Sequence, residues 1–347
     1  MKNIFNYFKK YNIGNPPWEY NFLLNLDEKE YPKYLANLFY LKTGEKLPLL
    51  KEWNFKSGYL SYKIDKKKLK TFNQKLQWIK LYGINDLMRD CTDKVKVRDY
   101  VAEKIGSEYL KPALQIVRNE ELEVRSNNSI SNSSLLTPNL FDKVDFEKLP
   151  DSFVIKCNHG CKWHYIIKNK NEYLKNKRLV DITRCNITGW LEQDYSLWGG
   201  FEMQYRGIQP KILIEPLMRD FINIHCEEIQ WYCFNGLPEL CIRIESGTNN
   251  KTSLYDKNFN VLRDILSSGD INMNRSGDNL IEQAFYLSEK LSQDFLFVRV
   301  DWMIYQNKLY FEELTFTPYS GFSRIIKPEY NKYFGNLIDL ERSKNEF

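Results

Sequence analysis

Long apolar segments are absent from this sequence. No run approaches the roughly 18 apolar residues that a membrane-spanning helix needs. The opening residues, MKNIFNYFKKYN, contain lysines but no apolar stretch of signal-peptide length. The seven cysteines are odd in number and scattered, which argues against a disulfide framework and favours free thiols in a reducing compartment. We therefore expect a cytoplasmic protein without a membrane span, at most peripherally associated with a membrane.

A strong excess of charge of either sign is also missing. The 50 basic and 45 acidic residues give a formal net charge of +5, spread evenly along the chain, so nucleic acid is not an expected partner. This mild positive charge favours an anionic small substrate or a membrane surface instead. The pair Ser320-Gly321 has no histidine or aspartate in a nucleophile-elbow context, which argues against a serine hydrolase.

Aromatic residues, by contrast, are abundant, at 15% of the 347 residues. A chain of this length should form more than one lobe, because single cores stop growing beyond about 250–300 residues. Residues 126–134, SNNSISNSS, are small and polar and predict a flexible segment. The charged tail 341–347 is expected to fray.

Apolar spacing and turn residues predict both helices and strands. The predicted elements are helices over 73–82, 93–105 and 284–291, strands over 153–156 and 212–215, and a hairpin that pairs 228–234 with 237–244. Asp93 is a candidate helix cap, and Asn235-Gly236 is a strong hairpin signal. Antiparallel pairs with separate groups of helices indicate an α+β fold rather than a doubly wound parallel sheet.

Residues 297–316, FVRVDWMIYQNKLYFEELTF, predict a second hairpin that places charge on one face. A three-residue turn over 306–308 pairs Tyr305 with Leu309, Asp301 with Glu313 and Arg299 with Thr315. Two opposed carboxylates destabilise a sheet unless a cation lies between them, and such oxygen ligands suit Mg²⁺. The alternatives are an ordinary solvated face, and a two-residue turn that would pair Asp301 with Glu312.

The segment 157–164, CNHGCKWH, holds two of the three histidines and two of the seven cysteines. One interpretation is a structural zinc site, but the spacing does not follow the usual zinc layouts and no second cluster supplies ligands. Another is a loop that covers phosphates, with Lys156 as a point charge and backbone N–H groups around Gly160. A plain surface loop is the third alternative.

Six segments, taken in order, resemble the ATP-grasp superfamily and within it the TupA-like branch, named for teichuronopeptide biosynthesis. They are KTFNQKLQWIKLYGIND (70–86), TDKVKVRDYVAEKIGSEYLKP (92–112), LPDSFVIKCNHG (149–160), QPKILIEPL (209–217), WYCFNG (231–236) and FVRVDW with FEELTFTPYSG (297–302 and 311–321). The resemblance implies an ATP-grasp fold, in which two α+β lobes clamp a nucleotide, with an aromatic-rich N-terminal extension. The expected divisions are 1–70 as an extension that helps to form the acceptor site, 71–150 as the helical part of the grasp, 151–217 as the lid subdomain, 218–340 as the metal- and nucleotide-binding lobe, and 341–347 as a tail.

The resemblance also implies a carbon–nitrogen ligase that uses ATP and Mg²⁺. Such an enzyme phosphorylates a carboxylate to an acyl phosphate, and an amine then displaces phosphate to form an amide. The matching motifs assign Lys94 and Lys156 to the nucleotide phosphates, His159 and Gly160 to the lid loop, Glu215 and Leu217 to the adenine hinge, Asp301, Glu313 and Thr315 to the metal, and Arg299, with Lys156, to catalysis at the transferring phosphate.

The branch implies a uronic acid of a bacterial capsular or cell-surface polysaccharide, or of its nucleotide-sugar precursor, as the carboxylate, and an amino acid or amino alcohol as the amine. The chain departs from the family pattern in CNHGCKW where members have CNHGSGW, in Gln230 where a lysine is common, and in Thr315 where many ATP-grasp enzymes have asparagine. Two alternatives are a sugar or small-molecule kinase and a non-catalytic nucleotide-binding module in a glycan-assembly complex.

Overall fold

The computed structural model describes residues 66–119, 140–197, 202–218, 226–246, 251–263, 279–321 and 328–345. The predicted N-terminal extension up to residue 65 and the polar segment 126–134 lie outside the described residues. The chain divides into two compact units. We call them the four-stranded unit, with described residues within 112–217, and the five-stranded unit, with described residues within 66–111 and 218–345.

Helices and strands alternate irregularly along the described residues. The helices are α1 (Phe72–Tyr82), α2 (Asp86–Thr92), α3 (Val97–Ile105), α4 (Lys170–Lys175), α5 (Lys177–Leu191), α6 (Asn279–Ser292) and α7 (Pro328–Leu337). The strands are β1 (Gln115–Val117), β2 (Phe153–Cys157), β3 (His164–Ile167), β4 (Ile212–Pro216), β5 (Cys226–Phe234), β6 (Leu237–Ser246), β7 (Lys251–Asp256), β8 (Phe297–Tyr305) and β9 (Lys308–Thr315). No helix among these residues has both the length and the apolar composition to cross a membrane.

The four-stranded unit is built on an antiparallel sheet with the order β1-β4-β2-β3. Side chains alternate between the two faces of β2 and β4. One face carries Phe153, Ile155 and Ile214 into an apolar core that also receives Ile187 of α5. The opposite face of β2 carries Lys156, so the strand has apolar side chains in the core and a charged side chain on its other face. The predicted strands over 153–156 and 212–215 are confirmed.

The five-stranded unit contains an antiparallel sheet with the order β7-β6-β5-β8-β9. The predicted hairpin of β5 and β6 is confirmed, and its turn residues Asn235 and Gly236 have φ of 50° and 85°. Val300 and Trp302 of β8 belong to the buried core of this unit, as do apolar residues of α6. The Trp302 indole donates a hydrogen bond of 2.8 Å to Ser288 Oγ of α6, which satisfies its polar atom inside that core.

Helix α1 begins and ends where the sequence predicts. Thr71 and Gln74 form a capping box at its start, and Gly83 follows its last residue. The predicted helix over 93–105 is confirmed from Val97 to Ile105 as α3, but residues 94–96 form a turn ahead of it. Asp93 caps that turn as expected: its carboxylate accepts the Val95 N–H at 2.8 Å and the Lys96 N–H at 3.4 Å, and its carbonyl accepts the Val97 N–H at 2.9 Å. The predicted helix over 284–291 is confirmed as part of α6, and the described residues of the tail lie in a 3-10 helix, Leu340–Asn345.

The β8–β9 hairpin has the predicted pairing at its functional end but a different turn. Tyr305 pairs with Lys308, not with Leu309, so the turn is the two residues Gln306 and Asn307, with φ of 50° and 58°. Two consecutive residues with positive φ match the turn that suits the strand twist best. A β-bulge then inserts Glu312 between the partners of Trp302 and Asp301. The bulge compensates for the shorter turn.

Candidate active site

Two carboxylates lie opposite each other at the far end of the β8–β9 hairpin. Asp301 pairs with Glu313, and Arg299 pairs with Thr315, as the sequence predicts. Because residues two apart on a strand share a face, all four polar side chains lie on one side of the sheet. We call these four residues the Arg299 row. The β5 partners of this row are Gln230, opposite Asp301, and Tyr232, opposite Arg299.

The Arg299 guanidinium holds this row together. Its Nε donates to Asp301 Oδ1 at 2.7 Å and its terminal nitrogen to Asp301 Oδ2 at 2.5 Å, a bidentate pair. The same terminal nitrogen donates to Thr315 Oγ1 at 3.2 Å and lies 3.6 Å from Glu313 Oε1. Thr315 in turn donates to Glu313 Oε1 at 2.8 Å. One cation therefore bridges both carboxylates.

Burial determines the electrostatics of the pair. Burial raises the pKa of Asp301 to about 7, Arg299 opposes that rise, and Glu313 and Glu228 add to it. Burial also disfavours charge on Arg299, but Asp301 and the neighbouring groups raise its pKa well above its usual range, so the guanidinium stays charged. The Glu313 side chain keeps 41% of its surface exposed and is the more accessible carboxylate.

The oxygen atoms of this row fit a divalent cation chemically. Asp301 and Glu313 supply carboxylates and Thr315 a hydroxyl, which are hard oxygen donors of the kind that Mg²⁺ takes together with water and substrate phosphates. Sequence analysis did not identify Glu228 and Tyr232 as neighbours of this row. The Asn-Gly turn fixes β5 against β6, but no local sequence signal indicates that β5 also pairs with β8.

Lys156 and Glu215 form a second charged pair, within the four-stranded unit. Lys156 Nζ lies 2.6 Å from Glu215 Oε2, and both side chains are on the face of β2 and β4 opposite the core. Glu215 is buried, and Leu217 follows the end of β4 half-buried. These two residues carry the predicted adenine hinge.

The predicted lid loop is a compact turn fixed by aromatic side chains. A Cβ at Gly160 would overlap the Trp163 indole, which stacks on Trp190 of α5 at 6.2 Å. His159 is buried, and its two ring nitrogens lie 3.1 Å from Asn158 Oδ1 and 3.0 Å from the Trp190 carbonyl oxygen. The imidazole therefore links the turn to α5 through the Trp190 carbonyl oxygen, and this contact fixes the position of the turn.

The structure gives the zinc interpretation of 157–164 no support. Cys157 is buried at the end of β2, Cys161 is half-buried, and His164 is exposed on β3. Among the described residues no group of three or more His, Cys, Asp or Glu side chains is placed to hold a metal ion. A site with two carboxylates, such as Asp301 with Glu313, falls below that number and needs further ligands from water and phosphate.

Lys94, the other predicted phosphate lysine, lies in the turn between α2 and α3 of the five-stranded unit and is half-buried. The Asp93 side chain shapes that turn through its bond to Val95 N–H. The five-stranded unit thus contains Lys94 and the Arg299 row, and the four-stranded unit contains Lys156, His159, Gly160, Glu215 and Leu217.

Comparison with known families gives the same assignment as the residue pattern. A family model described as TupA-like ATPgrasp matches residues 122–339, more than half of the chain. The chain belongs to the TupA-like ATP-grasp family. Membership confirms the expected α+β ATP-grasp fold. No curated protein matches the chain closely enough to add to this.

Solved structures of ATP-grasp ligases are similar in fold. A D-alanine–D-alanine ligase from Bacillus anthracis is 15% identical, with a TM-score of 0.39 over 75% of this chain and 69% of its own. An L-amino acid ligase from Bacillus licheniformis is 11% identical, with a TM-score of 0.36 over 72% of this chain and 49% of its own. Similarity at this level carries neither residue roles nor substrates from one protein to another.

Proposed function

We propose that this TupA-like ATP-grasp protein joins a carboxylate to an amine at the expense of ATP. The observation that carries the proposal is the opposition of Asp301 and Glu313 across a buried Arg299. Phosphoryl transfer needs little covalent help from the protein; it needs charge stabilisation and positioning. A row of carboxylates, a hydroxyl and a guanidinium supports that kind of chemistry.

In the proposed reaction the substrate carboxylate oxygen attacks the γ-phosphorus of ATP and ADP leaves, which gives an acyl phosphate. The amine nitrogen then attacks the acyl carbon, phosphate leaves, and the amine gives up a proton. Asp301, Glu313 and Thr315 would hold Mg²⁺, which supplies charge neutralisation on the phosphates. Arg299 stabilises the transferring phosphate, Lys94 and Lys156 bind nucleotide phosphates, and Glu215 with Leu217 bind the adenine.

The turn around Gly160 would cover the phosphates, with His159 fixing it to α5. For the substrates we propose a uronic acid of a bacterial cell-surface polysaccharide or its nucleotide-sugar precursor, with an amino acid or amino alcohol as the amine. This finer assignment is supported by the TupA-like branch alone, which is weaker support than the residues give to nucleotide chemistry.

The deciding experiment measures ADP release by the pure protein across a matrix of uronic acids and amines, with Mg²⁺ and ATP. We expect one acid to give ADP with a matching amine, and hydroxylamine to trap the acyl phosphate as a hydroxamate. ADP without hydroxamate would instead favour a kinase. Tight binding of Mg²⁺·ATP without turnover for any pair would favour a non-catalytic module. Gln230 supports that alternative, because it lies opposite Asp301 at a position where a lysine is common in the family.

A further inference from the structure

Helix α1 has a polar face that is completely buried. Asn73, Gln77 and Lys80 are spaced four and three residues apart, so they share one face of the helix, and they are exposed by only 2%, 0% and 0%. Burying a lysine is costly unless its charge meets hydrogen-bond acceptors. Helix packing alone does not require buried polar side chains at these positions, and the proposed reaction uses none of the three residues.

The partners of Gln77 and Lys80 are main-chain carbonyls in one short turn. Lys80 Nζ donates to the Ser320 carbonyl at 3.0 Å. Gln77 Nε2 donates to the same carbonyl at 3.1 Å and to the Gly321 carbonyl at 2.9 Å. A Cβ at Gly321 would come within 2.5 Å of Gln77 Nε2, so this close approach depends on glycine.

The backbone of that turn is in a conformation that side chains disfavour. Tyr319 and Ser320 have φ/ψ of 53°/34° and 56°/26°, and Gly321 has φ of 73°. Three consecutive left-handed residues, two of them with a Cβ, persist only where the surroundings hold them. The three hydrogen bonds from α1 act on the carbonyls of this turn, so α1 supplies that support.

The turn follows the Arg299 row closely along the chain. It follows Thr315 of β9 after two intervening residues and Pro318. Tyr232 is the β5 partner of Arg299 and is buried. The Tyr232 ring centroid in turn lies 6.0 Å from the Arg299 guanidinium carbon. The turn begins four residues after Thr315, the last residue of the row that would handle the transferring phosphate.

We propose that Lys80 and Gln77 are positioning residues for the proposed ligase reaction, which this inference presupposes, and that they hold the 319–321 turn in its left-handed shape for the acid substrate. The C=O and N–H of a trans peptide point in opposite directions. Binding the Ser320 carbonyl to α1 therefore directs the Gly321 N–H away from α1. An N–H held in a fixed direction is a donor for a carboxylate or its acyl phosphate.

A thermal-unfolding cycle tests whether α1 holds the turn, and it needs no substrate. Glycine tolerates the left-handed region, so Ser320→Gly should raise the unfolding midpoint as long as residue 320 keeps its conformation. We expect that gain to vanish in Lys80→Met and in Gln77→Met backgrounds, where the turn relaxes. Lys75→Met is the matched control, because Lys75 also lies on α1 and donates to a carbonyl, that of Ile338, at 2.7 Å.

The control background should keep the gain in full. An equal gain in all backgrounds would overturn the proposal, because the turn would then hold its shape without Lys80 and Gln77. Loss of the gain in Lys75→Met as well would also overturn it, since the effect would then belong to α1 in general.

Kinetics test whether the held turn matters for the reaction. With the acid–amine pair found by ADP release, Lys80→Met should raise KM for the acid or lower kcat by about tenfold or more. Its affinity for Mg²⁺ and a non-hydrolysable ATP analogue should stay within about twofold. A parallel loss of nucleotide affinity and activity would indicate a merely structural role. If the native protein releases ADP with no pair, the ligase reaction and this kinetic part fail together, while the unfolding cycle still decides whether α1 holds the turn.

Discussion

Glu312 of β9 forms an ion pair with Lys111, whose side chain is 8% exposed. Glu312 is the residue that the bulge inserts, because the register passes from Phe311 opposite Trp302 to Glu313 opposite Asp301. With a two-residue turn and no bulge, Glu312 would lie opposite Asp301 and Glu313 would point into the core. The inserted Glu312 pairs with Lys111, and Glu313 lies opposite Asp301.

The coupling between Lys111 and Glu312 is measurable. We expect Lys111→Met and Glu312→Gln each to lower the free energy of unfolding by about 1–3 kcal/mol, because each leaves a buried or half-buried charge without this ion pair. The double variant should cost less than the sum, by about 1 kcal/mol or more. The exposed pair of Asp90 with Lys96, in the same unit, is the control and should couple by less than about 1 kcal/mol. Equal coupling in the two pairs would contradict the role given to Lys111.

Glu313→Gln tests the metal assignment without disturbing the core. The Glu313 side chain is 41% exposed and 3.6 Å from Arg299, so losing its charge should change stability by no more than about 1 kcal/mol. We expect Mg²⁺-dependent binding of an ATP analogue to weaken by about tenfold or more, since one of two carboxylate ligands is lost. Isothermal titration with and without Mg²⁺ measures this, and Glu282→Gln on the exposed face of α6 is the charge-matched control.

Asp301→Asn should abolish turnover, but it separates metal binding from stability less clearly than Glu313→Gln does. Asp301 makes the bidentate contact with buried Arg299, and removing one partner of a buried pair costs about 3–5 kcal/mol. Its unfolding midpoint should therefore fall clearly below that of Glu313→Gln. Metal-dependent nucleotide binding that survives in Glu313→Gln would remove Glu313 from the metal site.

The bulge in β9 has a signal in the sequence. Apolar residues on a regular strand are two apart, yet the buried residues of β9 and its continuation are Leu309, Phe311, Leu314 and Phe316. The step of three between Phe311 and Leu314 indicates an inserted residue. A three-residue turn gives the same pairing at Asp301 as a two-residue turn with a bulge, so the opposition of the carboxylates could be predicted while the turn could not.

Other parts of the site depend on contacts between distant segments. Capping residues and apolar periodicity predict α1 and the β5–β6 hairpin, because those signals are local. The pairing of β5 with β8, which places Tyr232 opposite Arg299 and Glu228 opposite Met303 on the same face, has no local signal in the sequence. The regular helix α3 begins four residues later than predicted, because the turn that Asp93 caps precedes it. The bonds from α1 to the 319–321 turn join residues about 240 positions apart.

Lys156→Met tests the nucleotide assignment of the four-stranded unit. If Lys156 binds nucleotide phosphate, we expect the Kd for an ATP analogue with Mg²⁺ to rise by about tenfold, since a charge-assisted hydrogen bond is lost. Removing Lys156 also leaves the buried Glu215 carboxylate without its 2.6 Å partner, so the unfolding midpoint should fall as well. Lys175→Met, on the exposed side of α4, removes the same charge elsewhere in the unit and should change neither quantity. An unaltered Kd in Lys156→Met would count against the phosphate assignment.

Gly160→Ala tests whether the turn of 158–163 depends on close contact with Trp163. A methyl group there would overlap the buried indole, so we expect a loss of about 1–3 kcal/mol in stability and an altered near-ultraviolet circular dichroism from the Trp163–Trp190 stack. Gly207→Ala is the control in the same unit: Gly207 has φ of 78° and no atom near its missing Cβ, so it should lose about 1–2 kcal/mol from backbone strain alone. The aromatic signal of that control should stay native. An unchanged aromatic spectrum in Gly160→Ala would mean that the turn accommodates a side chain, and that the tight packing of Gly160 on Trp163 does not determine its shape.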